Sequence, residues 1–211
     1  MSRIASHTLS ATALELWRGD RCLFTELNLT VSTGELLQVT GANGSGKTSL
    51  LRVLTGLLPP EAGHVRWNDE PIHRARAAFH ESMGYVAHRD AHYDDLTLRQ
   101  NLMWGIGLHH DIESRDVDST LEALDWCELA DVPAHALSAG QRRRLSLARL
   151  RASGKSLWIL DEPLTNLDAG ARVWCEDIIE VHLEQGGSVI ATSHQPLCVR
   201  APSRREWAIS T

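Results

Sequence analysis

Residues 35–58 read ELLQVTGANGSGKTSLLRVLTGLL, and the order of side chains in this stretch decides the fold. ELLQVT is a short apolar run of the kind that makes a buried strand. SLLRVLTGLL predicts a helix that Pro59-Pro60 ends, with Leu50, Leu51, Leu54 and Leu57 at helical spacing. Between them GANGSGKT, residues 41–48, fits G-x-x-x-x-G-K-[ST], the phosphate-binding loop, in the strand–loop–helix setting that motif requires. Gly41, Gly44 and Gly46 allow the tight turn that points the loop's N–H groups, those of Ala42, Asn43 and Ser45 among them, at phosphate oxygens. The helix behind adds its positive N-terminal end. Lys47 is placed to pair with β/γ-phosphate oxygens and the Thr48 hydroxyl to ligate Mg²⁺. With each of the required residue types near 7% usage, four fixed positions match by chance in roughly one chain in a hundred. A bare glycine-rich turn is the weaker reading.

Outward from this stretch, strand and helix signals alternate. Residues 9–17 and 24–31 read as strands around a turn at Gly19-Asp20, an antiparallel sheet ahead of the loop. Residues 64–67 and 83–87 are further strand candidates, with a turn at Asn68-Asp69. From about residue 90 to 153 the pattern turns helical: Thr97 and Gln100 form a capping-box pair, and Val117, Leu121 and Leu124 line one helix face. The strand–helix pattern resumes with SLWILDE, a helix over 169–185 stopped by Gly186-Gly187, and a strand over 188–192. Short strands joined through helices need crossover connections, hence a mostly parallel sheet. The expected fold class is therefore α/β: one domain over residues 1–211, with a parallel core sheet, an antiparallel N-terminal sheet and an inserted helical lobe.

Composition excludes several classes. The chain has 211 residues, 43% hydrophobic and 23% charged, which suits one core. Its 21 basic and 27 acidic residues give a net charge of −6, so no global cationic field holds nucleic acid. No run approaches the roughly 18 apolar residues of a spanning helix, and MSRIASHTLS lacks the apolar core of a secretion signal, so a cytoplasmic protein is expected. Cys22, Cys127, Cys175 and Cys198 form no C-x-x-C pair and are expected to be reduced. His88 and His92, four apart, and the adjoining His109-His110 lack a completing carboxylate or cysteine and read as solvent-exposed polar residues.

Two further blocks carry chemistry. LWILDEP delivers Asp161 and Glu162 to the end of an apolar strand, where open α/β sheets bind ligands. Asp161 suits holding Mg²⁺ and Glu162 suits polarising the attacking water. Leu137, Ser138, Ala139, Gly140 and Gln141 spell LSAGQ ahead of RRRLSLARL. Ser138 can cap a helix whose open N–H groups, next to Gly140, make a second anion site.

LSAGQRRRLSLARL closely resembles the signature of ATP-binding cassette (ABC) ATPases, and the other motifs agree with that family. The resemblance implies a nucleotide-binding domain whose signature contacts the γ-phosphate held by the other subunit, with ATP sandwiched in a head-to-tail homodimer. It implies that Thr165-Asn166-Leu167-Asp168 is the D-loop, with Asp168 near the dimer axis, and that His194 in ATSHQP is the switch histidine against γ-phosphate. Trp17 either stacks on adenine as the family's aromatic does or is an edge or core tryptophan. One position departs: where most members carry a glutamine that contacts Mg²⁺ and the attacking water, GYVAHRD has His88. An imidazole is a poor ligand for an oxygen-seeking ion, though it can bond water or nucleotide. The run Arg142-Arg143-Arg144 is expected to serve the nucleotide interface or a solvated face.

Taken together with LWILDEPLTNLD and ATSHQPL, the chain resembles the ATP-binding subunits of cytochrome c maturation, the CcmA or haem exporter family. That implies ATP and Mg²⁺ as cofactors and a peripheral place on the cytoplasmic face of the inner membrane. It implies as partners a separate integral membrane permease subunit (CcmB-like) and other cytochrome c maturation proteins, with residues 88–104 as the docking region. The alternatives are the ATPase subunit of another small ABC exporter, a soluble ABC ATPase acting on ribosomes or DNA, and a nucleotide-binding regulator that hydrolyses nothing. The soluble class usually needs a second cassette or a long coiled-coil insertion, for which 211 residues leave no room. Intact Lys47, Asp161, Glu162 and His194 argue against a pure regulator.

Overall fold

A computed structural model describes residues 4–107 and 114–209. His109 and His110 lie outside the described residues. The core is a five-stranded, wholly parallel sheet in the order β6(Met83–Val86), β7(Leu157–Asp161), β8(Ser188–Thr192), β3(Glu35–Thr40), β9(Ser203–Ala208). Its central strands β7 and β8 are buried along their whole length and mostly apolar because both faces are covered. In β7, Leu157 and Ile159 enter one core while Trp158 and Leu160 enter the other; in β8, Ile190 enters the first and Val189 and Ala191 the second. The period-2 geometry of a strand thus splits one apolar run between two cores.

The first core lies between this sheet, helix α1(Lys47–Leu54) and an antiparallel sheet in the order β2(Arg21–Ser32), β1(Thr8–Arg18), β4(Ala62–Trp67), β5(Glu70–Pro71). The expected hairpin is present, with Arg18 paired to Arg21 across Gly19-Asp20. Leu50, Leu51 and Leu54 of α1 are fully buried. Replacing any one by alanine would cost about 2–5 kcal/mol. The helix stops at Leu54, four residues short of the expected end, and the Thr55 hydroxyl donates to Arg52 O at 3.0 Å at the break. Leu57, placed by spacing on the apolar face, is 64% exposed as a result.

On the other face pack α5(Ala139–Ala152) and α6(Ala169–Glu184). α6 ends as its glycines suggest: Gly186 N donates to Leu183 O and Gly187 N to His182 O, the paired bonds of a Schellman stop. A third core joins α3(Leu98–Gly107), α4(Ser114–Ala123) and α5 through Leu98, Leu102, Val117, Leu121, Leu124 and Leu145. The Thr97/Gln100 capping box forms in both directions. Three elements had no sequence signal: the two-residue β5, α2(Arg76–Ser82), which buries only Phe79, and β9, whose SRREWA is mostly exposed. Edge strand β9 pairs with β3 along six residues, and two arginine side chains add to that ladder. Arg205 donates to Glu35 and Thr30 O, and Arg204 to Gln38 Oε1 (3.0 Å) and Leu197 O (2.9 Å). The four cysteines are free thiols, and among the described residues no helix is long and apolar enough to cross a membrane.

His182, on the last turn of α6, is sandwiched flat on Trp158 with ring centroids 3.9 Å apart, and its Nε2 has no hydrogen-bond partner. Burial pushes this imidazole down to about 4, and burial also lowers His7, which bonds Ser188 Oγ at 2.7 Å. The unfolded chain binds a proton on His182 near pH 6.5 and the folded chain only near 4. The stability tied to the neutral ring is therefore present in full above about pH 6.5 and is lost as pH falls towards 4. We expect His182→Phe, which keeps the stack, to reduce the loss of unfolding free energy between pH 7 and 4 by on the order of 3 kcal/mol. Denaturant titrations of both proteins across that range check this, His7 leaving a residual slope. An unchanged slope would contradict the buried neutral imidazole.

Candidate functional site

The carboxyl ends of β3, β7 and β8 meet at a cleft of about 270 Å³ lined by Asn43, Gly44, Gly46, Lys47, Thr48, His88, Asp161, Glu162 and His194 among others. The loop between β3 and α1 forms one wall. At Gly46 φ is +103°, and a Cβ there would press on Leu23 at 3.2 Å, so only glycine fits without strain. Lys47 is buried and donates to Gly41 O (2.7 Å) and Ala42 O (3.1 Å), closing the loop on itself. Ser45 Oγ is buried in the loop with no partner. A buried hydroxyl normally has a partner, and a phosphate oxygen would supply one.

The opposite wall is built on Asp161, 1% exposed at the end of β7. Its Oδ2 accepts from Thr48 Oγ1 at 2.8 Å and its Oδ1 from Thr192 Oγ1 at 2.7 Å. Thr192 Oγ1 in turn accepts from Glu162 N at 2.9 Å. The next residue, Glu162, sits at φ +52°, uncommon for a non-glycine residue. Such conformations cost about 1–3 kcal/mol and collect at functional sites. Glu162 Oε1 lies 3.3 Å from His194 Nε2 but is not aligned for a hydrogen bond. His194 is half exposed, with room to turn toward a ligand.

The remaining expected residues divide into three groups. His88 lines the same cleft from the loop after β6. Trp17, 43% exposed, does not line it and donates to Glu15 Oε1 at 2.6 Å; its neighbour Arg18 is the lining residue. None of the signature residues lines it either. Ser138 caps α5 by accepting from Gln141 N (3.1 Å), while Gln141 Oε1 accepts from Ser138 N (2.8 Å). Ala139 and Gly140 form the first turn, but Leu137 turns its side chain into the lobe's core and leaves only backbone for a ligand. Asp168 caps α6 through Ala171 N at 2.8 Å. A Cβ at Gly140 would lie 2.6 Å from Asn166 O, so the signature turn and the loop before α6 touch backbone to backbone.

Two expectations about charge are corrected. Arg143 is neither an interface nor a solvated residue: it is 2% exposed and bonded to the segment after β7. Arg144 lies over the rings of Trp126 (4.8 Å) and Trp174 (5.5 Å), a cation–π contact inside the subunit. His92 is not solvent-exposed either, since its side chain is 10% exposed and its Nε2 is 3.0 Å from Asp94. A run of three arginines reads as solvated because sequence does not show that the middle one faces the sheet. Its helical phase against Leu147 and Leu150 was the available signal.

The family model for ABC transporters matches residues 24–165. The cytochrome c biogenesis ATP-binding export protein CcmA of Pseudomonas savastanoi pv. phaseolicola is 47% identical over 189 residues, 90% of this chain and 89% of that one. Its namesake in Methylococcus capsulatus is 44% identical over 93% of this chain and 95% of its own, and that of Escherichia coli 43% over 96% of each. An ABC transporter ATP-binding protein from Pyrococcus furiosus, covering 94% of this chain and 96% of its own at 20% identity, has a TM-score of 0.79 and shares the fold.

Lys47→Ala removes the cation that closes the loop and faces the cleft. We expect ATP affinity to fall at least tenfold with little change in thermal unfolding, measured by equilibrium titration of a fluorescent ATP analogue. Unchanged affinity would remove residues 41–48 as the phosphate site.

Proposed function

The chain belongs to the ABC transporter family and, within it, to the CcmA proteins of cytochrome c biogenesis, and from that premise we propose how its residues work and what they serve. It is an ATPase, the ATP-binding subunit of a transporter complex for cytochrome c biogenesis. The observation that carries the residue assignment is the meeting of Lys47, Thr48, Asp161, Glu162 and His194 around one cleft.

Residues 41–48 cradle the phosphates: Lys47 exchanges one or both of its carbonyl partners for β/γ-oxygens, and Ser45 Oγ gains the partner it lacks. Thr48 Oγ1 and the Asp161 carboxylate are hard oxygen donors side by side, which fits Mg²⁺. When bound, that ion neutralises charge developing on the phosphates. Glu162, held by its backbone at the rim of the cleft, accepts the proton of the attacking water, and His194 contacts the γ-phosphate. His88, a nitrogen donor, suits bonding water or nucleotide better than metal. Trp17 offers an exposed ring for adenine to stack on.

The signature turn of Leu137, Ser138, Ala139, Gly140 and Gln141 lies outside the chain's own cleft, and its open N–H groups suit the γ-phosphate held by a second copy. Asp168 then approaches the dimer axis. Residues 1–211 act as one ATP-binding domain, with the lobe at about 90–153 facing a separate integral membrane permease on the cytoplasmic side of the inner membrane. Tyr93 and Trp104, both 53% exposed with rings 5.9 Å apart, give that face an apolar anchor beside Met103, 46% exposed. The cargo in this reading is haem for cytochrome c maturation.

Two measurements test the proposal. Glu162→Gln should bind ATP, lose at least about 10²-fold in turnover and elute as an ATP-dependent dimer on size-exclusion chromatography. Parental turnover would end the assignment of Glu162 as base. Affinity capture of the tagged protein from solubilised bacterial membranes should bring down a multi-helix membrane subunit and cytochrome c maturation proteins, identified by mass spectrometry. Ribosomes or DNA-repair proteins in their place would overturn the transport role.

A further inference from the structure

Arg143 occupies the second turn of α5, directly behind the signature, yet its guanidinium reaches the other side of the catalytic cleft's wall. Nε donates to Pro163 O (3.3 Å), Nη1 to Ala87 O (2.7 Å) and Asp90 Oδ1 (3.1 Å), and Nη2 to Asp161 O and to Glu162 O (2.8 Å). A guanidinium has five N–H donors in a rigid fork, and here five acceptors take them. Four are main-chain carbonyls. Three of those are consecutive, at 161–163, and they hold the chain where Glu162 adopts its left-handed conformation.

A purely structural role does not account for this residue. The side chain is only 3% exposed, and its one ionic partner, Asp90, is 15% exposed. Burying a charge is unfavourable, and apolar side chains of similar volume usually serve a core as well or better. Leu147 and Leu150, one and two turns on, show that apolar side chains pack on this helix face. What an apolar side chain cannot do is fix three chain segments to one another. Ala87 and Asp90 flank His88, and Asp161 and Pro163 flank Glu162, so the guanidinium ties together the two segments that bring these residues to the lining of the cleft.

We propose that Arg143 is a positioning residue for ATP hydrolysis, holding Glu162 and the His88 loop in register with the signature helix by a five-donor clamp on their backbones. This rests on the reading of Glu162 as the base. None of its bonds goes to residues 41–48 and it meets Asp161 only at the main-chain carbonyl, so its larger effect is on the chemical step through Glu162 and its smaller one on nucleotide binding. It also makes α5 a rigid lever: a shift of the helical lobe displaces Glu162 and His88 together.

The test uses the full chain and measures ATP turnover at varied ATP alongside thermal unfolding. Arg143→Gln is expected to lower kcat at least tenfold while KM for ATP stays within about threefold, since misplacement of a reacting group by about 1 Å costs up to 10²-fold. In a Glu162→Gln background, the residual single-turnover rate should fall no more than about twofold further, because the group being positioned is already gone. Arg143→Lys, which keeps the charge but has three donors for five acceptors, should fall between the two. It carries the same test if Arg143→Gln does not unfold cooperatively. Parental kcat in both Arg143 variants overturns the proposal, as does a KM rising in step with the loss of kcat. A full, additive loss in the Glu162→Gln background overturns it too, with the base assignment intact. Parental turnover in Glu162→Gln alone overturns that assignment, and this proposal with it.

Discussion

Everything at the nucleotide end of this molecule depends on one buried carboxylate. Asp161 is almost wholly removed from solvent, and in place of water it accepts two hydroxyl hydrogen bonds, from Thr48 on α1 and Thr192 at the end of β8. Those bonds tie a helix N-terminus and two parallel strands together where the sheet's carboxyl edge would otherwise be open. A buried acceptor stripped of its donors costs about 1–3 kcal/mol per group, more when charged, so the three elements cannot separate without penalty. The same arrangement keeps two hard oxygen donors, the Thr48 hydroxyl and the Asp161 carboxylate, beside the loop of residues 41–48. Stability and chemistry thus draw on one set of atoms.

How far the sequence disclosed this depends on whether a residue's role is local. The loop of residues 41–48, the apolar strands and the capping pairs at Thr97/Gln100 and Ser138/Gln141 are specified within a few positions of themselves, and they were legible. The end of α1 was not. Leu57 continues the helical spacing, but the chain turns away after Leu54 and Gly56 adopts a positive φ. Strand β9 was illegible for a different reason. As an edge strand it buries little, so its register is set by Arg204 and Arg205 reaching Gln38 and Glu35 some 166–170 residues earlier, contacts without periodicity.

The candidate site shows the same division. Lys47, Thr48, Asp161, Glu162, His88 and His194 come together around one cleft, as their motifs imply. Trp17 and the signature do not join them within one subunit. That separation has a physical reading. A helix N-terminus capped by Ser138 retains open donors on its first turn, and Gly140 keeps that turn free of side chain while pressing it against Asn166 O. Under the proposed reading these donors are half of a site, and head-to-tail pairing of two copies would complete two such halves at once.

The three cores show how the helical lobe is coupled mechanically to a cleft that it does not line. The third core binds α3, α4 and one face of α5, through Leu145 and Ala148, into one unit, while Leu147 and Leu150 on another face of α5 pack into the second core with Trp158 and Leu160 of β7. A helix shared by two cores resists bending, because close-packed interiors shift between discrete arrangements and do not deform smoothly. Arg143 on this helix is bonded to the loop that carries His88 and to the end of β7, so the signature turn and these two segments are tied to one element. Arg144, stacked on Trp126 of the lobe and Trp174 of α6, joins the same helix to α6. A displacement of α5 would therefore be felt at residues 161–163 through the contacts along it, and the order of LSAGQRRRLSLARL is what places those contacts there.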